Sequence, residues 1–150
     1  MRADDALARP LFLQPAVLAL VMLGGAVGTA ARAVLADAFP VSDGAWPWAT
    51  FGVNVAGSFL LGLLVALVAV RGGRSGAWRL VRPALGAGVL GGFTTYSAFA
   101  VEVDRLLGGG SVGLGLAYAG ASVVGGVLAA ALGVLAGGGV PAPRSGEAGS

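Results

Sequence analysis

The sequence predicts an all-α membrane protein with four transmembrane helices per subunit, the third of them broken in the middle. Three observations carry this reading. Of 150 residues, 57% are hydrophobic and only 11% charged, where an ordinary soluble domain has about 25% charged residues; mean hydropathy is +0.89. Four separate apolar stretches reach the length of about 20 residues that a helix needs to cross a hydrocarbon core of about 30 Å. Finally, 28 glycines lie within that apolar sequence. No Gly-X-Y period or polar tract accompanies them, which points to closely packed membrane helices and away from collagen or disorder.

The first span runs from Pro15 to about Leu35, with Pro15 at home in a first helical turn and Arg32 as its one internal charge. Asp4 and Asp5 in front of it, and three more spans behind it, argue against a secretory leader cleaved at Ala31-Arg32-Ala33. Gly44–Val70 carries no charge, and Trp48–Val70 is the second span. Arg71–Arg82, with four arginines and three glycines, is a connecting turn. The third span runs from about Pro83 to Leu107 and the fourth from Ser111 to Ala136. Trp46, Trp48 and Trp78 sit at span edges, as interfacial aromatics do. The chain thus divides into a mobile N-terminal tail (1–14), a four-helix membrane domain (15–137) and a mobile C-terminal tail (138–150).

Small residues recur four apart at Gly24/Gly28, Gly52/Ala56, Ser58/Gly62, Gly88/Gly92 and Ser122/Gly126, a spacing that lets helix backbones approach. With an even number of spans, seven arginines (2, 9, 71, 74, 79, 82 and 144) fall on one side and Arg105, with Arg32, on the other. This bias places both termini in the cytoplasm if the orientation is fixed. Cysteine and histidine are absent, which excludes a disulfide framework, a His/Cys metal centre and an imidazole base. A net charge of +2, thinly scattered, gives no nucleic-acid footprint.

Polar groups inside a span are costly and mark candidate functional positions. Arg32 reads either as a side chain snorkelling to the interface or as a fixed charge that concentrates anions at a pore mouth. Asn54 reads either as an interhelical hydrogen-bond partner or as a pore-lining amide with N–H donors for an anion. Gly91-Gly92-Phe93-Thr94-Thr95-Tyr96-Ser97-Ala98-Phe99 is a poor helix interior. A break there frees carbonyls that must be buried, bound to an ion or set in a wet cavity. With the hydroxyls of Thr94, Thr95 and Ser97, such oxygens suit a hard cation such as sodium. The alternative is a kinked helix whose hydroxyls bond back to their own turn. Tyr118 and Ser122, four apart on one helix face, are either packing residues or part of a polar path.

Together these places resemble the small fluoride channels of the Fluc family, also called CrcB. The resemblance lies in GGAVGTAAR (24–32), TFGVNVAGSFLLG (50–62) and GAGVLGGFTTYSAFAVE (86–102), and spans about residues 20–135. It implies an antiparallel dimer with two pores and a structural sodium ion held by the carbonyls of Gly91 and Thr94 from each subunit. It places the family's pore phenylalanines on Tyr96 and Phe99, its pore asparagine on Asn54, its vestibule arginine on Arg32, its polar track on Tyr118 and Ser122, and its glutamate on Glu102. Tyr96 in place of phenylalanine and Ala100 in place of serine depart from the family pattern. The partner is the chain itself or, given the arginine bias, a homologue of opposite topology. The expected function is passive fluoride efflux across a plasma membrane. A multidrug-exporter-like transporter or a proton-coupled exchanger would need an intramembrane carboxylate, and span one has none. An enzyme would need a base beside Thr94, Thr95 or Ser97. A non-conducting adaptor leaves the Gly91–Phe99 segment, Asn54 and Arg32 without a purpose.

Overall fold

The computed structural model describes residues 14–71 and 80–138, and every regular element in them is helical. The tails at 1–13 and 139–150, Trp78 and most of the arginine-rich turn lie outside the described residues. Helix α1 is Pro15–Ala38 and α2 is Trp48–Arg71. The third span comprises a π-helical segment Arg82–Leu90, the single turn α3 (Gly91–Phe93) and α4 (Tyr96–Gly108). Helix α5 is Val112–Ala136. The four spans are 24, 23, 27 and 25 residues long and apolar enough to cross a membrane.

Sequence chemistry accounts for the element ends. Pro15 stands at the start of α1, where its missing N–H costs nothing. Phe39 closes that helix with its N–H on the Leu35 carbonyl, and Pro40 follows. Gly44 and Gly110 take φ of +69° and +84° in the two turns at one end of the molecule, a backbone region costly for a residue with a Cβ. Between α3 and α4, Thr94 (φ −77°, ψ 157°) and Thr95 (φ −147°, ψ 125°) are extended. The wide turns before them differ from the ordinary α-helix that the sequence predicts. The Gly91 N–H reaches five residues back to the Gly86 carbonyl, in a stretch where Pro83 lacks a donor and glycines 86 and 88 relax the backbone.

Small residues set the packing. A Cβ on Gly28 would run into the Val89 carbonyl, and one on Gly92 into the Gly25 carbonyl, which binds α1 to the first half of the third span. Gly62 meets the Ala130 backbone, and Gly133 the Phe59 carbonyl, joining α2 to α5. These are the two most extensive interfaces, while α1 and α2 scarcely touch. The third span changes partner along its length. Its first half lies on α1 and its second half, α4, on α5. Thr94 and Thr95 are where the change occurs.

Four of the five small-residue pairs face a neighbouring backbone or side chain, but Gly52 has open space within 4 Å. Large apolar side chains point outward instead, with Met22 74% and Leu135 70% exposed. A surface of that kind is stable against lipid or a partner subunit and unstable in water.

Replacing Gly133 with valine forces a side chain into the Phe59 carbonyl and should cost about 1–3 kcal/mol or more. Gly113→Ala, in open space, should leave the protein intact. Thermal unfolding in detergent, followed by size-exclusion chromatography, measures both.

Candidate functional site

Asn54 organises the middle of the third span. Its Nδ2 donates to the Thr95 carbonyl at 2.9 Å, and its Oδ1 accepts from the Thr95 N–H at 2.9 Å. One carboxamide thereby satisfies both backbone groups of an extended residue. In a continuous helix the Thr95 N–H would have closed on the Gly91 carbonyl. The Ala98 N–H, which would have closed on the Thr94 carbonyl, goes instead to Thr95 Oγ1 at 3.2 Å. The Gly92 carbonyl accepts from Arg32 Nε at 3.3 Å and lies 3.5 Å from Thr29 Oγ1. Thr94 Oγ1 bonds back to the Leu90 carbonyl at 3.0 Å, and Thr95 Oγ1 lies 3.3 Å from Ser97 Oγ. The interruption is therefore hydrogen-bonded from two neighbouring helices. The helical donors of the Gly91 and Thr94 carbonyls, the Thr95 and Ala98 N–H groups, are thus engaged elsewhere.

Beside this segment lies a cavity of about 380 Å³. Gly91, Thr94 and Thr95 line it from the third span, Asn54 from α2 and Ser122 from α5, and the rings of Tyr96 and Phe99 complete it. The buried Ser122 hydroxyl has no hydrogen-bond partner among the described residues. No residue lining the cavity is charged. Tyr96 is 81% exposed, so its ring stands at the outer edge of the cavity.

A second polar cluster lies toward the end of the molecule that carries the Gly44 and Gly110 turns. Glu102 accepts from Thr50 Oγ1 at 2.6 Å and from Tyr118 OH at 2.7 Å, one donor for each carboxyl oxygen. Tyr118 is completely buried. Its ring stands between Phe99, at 5.5 Å between centroids, and Trp46, at 5.4 Å and edge-on. Tyr96 and Phe99 are 6.1 Å apart, so aromatic rings run without interruption from the cavity to the Glu102 cluster. Hydroxyls on both oxygens keep a carboxylate hydrogen-bonded at membrane depth, where an unpartnered one would be very costly.

The structure brings Asn54, Gly91, Thr94, Thr95, Tyr96, Phe99 and Ser122 to one cavity and leaves the other candidates off its wall. Tyr118 sits behind Phe99 and serves Glu102. Arg32 is tied to the Gly92 carbonyl. Ser97 touches Thr95. Two participants escape a reading of the sequence. Thr50 precedes Asn54 by four residues on one face of α2, a spacing that was available as a signal. Nothing in the sequence marks Trp46 as the ring against Tyr118, because that contact crosses from a linker to the last helix.

Fold and site define a small four-span helical membrane protein with an uncharged, mainly apolar cavity at mid-span that carries a few hydroxyls and one carboxamide. The chain belongs to the CrcB family, whose model, described as CrcB-like protein, Camphor Resistance (CrcB), matches residues 19–134. The fluoride-specific ion channel FluC 2 of Leifsonia xyli subsp. xyli is 46% identical over 128 residues, covering 85% of this chain and 88% of that protein. The FluC 2 of Nocardia farcinica is 42% identical over 139 residues, 91% of this chain and 92% of the relative. The FluC of Novosphingobium aromaticivorans is 44% identical over 119 residues, 77% and 91% of the two chains.

Asn54→Leu orphans the Thr95 N–H and carbonyl and should destabilise by about 2–6 kcal/mol, at about 1–3 kcal/mol for each unsatisfied group. The same variant should lose amide-exchange protection at Thr95. Thr50→Val and Tyr118→Phe each remove one donor from Glu102. A double-mutant cycle between them should be non-additive by more than about 0.5 kcal/mol in thermal unfolding, because they share one carboxylate.

Proposed function

We propose that this protein is a passive fluoride-selective channel of a bacterial-type plasma membrane, and not an enzyme, which lowers cytoplasmic fluoride and so protects against its toxicity. The observation that carries the reading is the mid-span cavity, walled by aromatic rings, aliphatic side chains, hydroxyls and a carboxamide and by no charged side chain. An aromatic ring presents a positive edge. Ring edges and O–H or N–H donors replace part of the hydration shell of a small anion without trapping it, and conduction needs sites weak enough to leave. The names of the relatives supply the ion. A proton-coupled transporter is disfavoured because no carboxylate lines the cavity, and Glu102 is held by two hydroxyls away from it.

The working unit in this reading is an antiparallel dimer in which Tyr96, so exposed in one subunit, meets the partner. The interruption at Thr94–Thr95 then acts as a functional break in the third helix. The diverted carbonyls of Gly91 and Thr94 fit a sodium ion, since hard cations take oxygen ligands. When bound, the ion would supply a fixed positive charge close to the anion path. Asn54 contributes mainly by holding Thr95. Arg32 contributes through the Gly92 carbonyl as well as through its charge. The arginine bias supports cytoplasmic termini and a partner of opposite topology.

Liposomes containing the purified protein, read with fluoride and chloride electrodes, test the function. Fast fluoride release without chloride release is expected, and equal release of both would overturn the reading. A protein silent alone but active with a homologue of opposite arginine bias would establish a heterodimer. A two-compartment reporter on the C-terminus checks orientation. Signal from the cytoplasmic side alone is expected, and equal signal from both sides contradicts a fixed topology.

A further inference from the structure

Beyond the Glu102 cluster the molecule opens into a cleft of about 650 Å³. The α1–α2 linker contributes Asp43 and Pro47 to its wall, α4 contributes Glu102 and Arg105, and the α4–α5 turn contributes Ser111. Three side chains in contact, Phe99, Tyr118 and Glu102, link the mid-span cavity to this cleft. Phe99 faces the cavity, Tyr118 packs on Phe99 and donates to Glu102, and Glu102 faces the cleft. In the channel reading, an anion leaving the cavity toward this cleft meets the carboxylate of Glu102, which carries the same sign.

Arg105 is the cationic side chain on that wall. It lies three residues beyond Glu102 on the same helix, about 5–6 Å away between Cβ atoms. Both Glu102 oxygens are taken by Thr50 and Tyr118. Arg105 is exposed and makes no ion pair among the described residues. Asp43, exposed in the linker, adds a second negative charge to the same wall.

The geometry points to Arg105 as the charge that admits fluoride to this mouth of the pathway, offsetting Glu102, with Asp43 opposing it. An unpaired arginine beside a hydroxyl-held carboxylate raises the local anion concentration where the path would otherwise repel it. The inference rests on the channel reading and concerns throughput, leaving selectivity to the cavity.

The test is single-channel current in planar bilayers at fixed fluoride, with inert salt added to raise ionic strength from about 0.01 M to about 1 M, where the Debye length falls from about 30 Å to about 3 Å. At low ionic strength R105Q should lower the fluoride current about threefold, the factor for a unit charge about 6 Å from the ion in bulk water. D43N should raise it by a similar factor. Both effects should collapse at high ionic strength, and R105K should keep the wild-type current. A loss in R105Q that persists in high salt would mark a structural role and overturn the proposal, as would an unchanged current in both R105Q and D43N. Wild-type bilayers without fluoride current would overturn the channel reading and this inference together.

Discussion

The carboxamide of Asn54 is the contact on which the rest of the site depends. A membrane span cannot expose a free backbone N–H or carbonyl to lipid, because no water is there to satisfy it. Thr95 is extended in the middle of such a span, and Asn54 satisfies both of its backbone groups at once. With that satisfied, α4 can start afresh at Tyr96, capped by Thr95 Oγ1 on the Ala98 N–H. The new start lets the second half of the third span lie on α5 while the first half stays on α1. The cavity forms at this change of partner, and the rings of Tyr96 and Phe99 are delivered to it by the first turn of the restarted helix.

Packing and polarity follow from the same solvent. Between helices in lipid there is little hydrophobic driving force, so close backbone approach and interhelical hydrogen bonds hold the bundle. Gly28, Gly62, Gly92 and Gly133 permit that approach because a Cβ at each would strike a carbonyl of the facing helix. The large apolar side chains are left for the outside. The polar side chains in the interior are engaged pairwise across helices, with Asn54 on Thr95, Arg32 on Gly92, and Thr50 and Tyr118 on Glu102. The buried Ser122 hydroxyl and the Trp46 indole N–H are the exceptions, without a hydrogen-bond partner among the described residues.

The polar groups also form a sequence in space. From the interrupted span, the rings of Tyr96, Phe99 and Tyr118 lead to Glu102, and Glu102 faces the cleft that carries Asp43 and Arg105. Aromatic rings present positive edges along this line, and two hydroxyls restrain the carboxylate of Glu102. Rigid rings and helix-borne donors keep these groups in place without a charged side chain in the cavity itself.

Composition and periodicity by themselves determined the four spans, because about 20 apolar residues cross a bilayer only as a helix. The predicted ends fall within three residues of those observed. Glycines and threonines at 91–95 marked the interruption because they make a poor helix interior, and the small-residue pairs marked most of the helix contacts. The motif resemblance pointed to the family that the comparisons then matched. Only the tertiary structure decided what each polar side chain touches. A sequence shows that Asn54 is in a membrane span but not that its amide faces the backbone of a residue 41 positions away. It cannot show that Tyr118 turns from the cavity toward Glu102, that Thr50 completes that cluster, or that Gly52 has no neighbour. Such pairings depend on how the helices are rotated and which neighbours they choose, and those are settled by close contacts between distant parts of the chain.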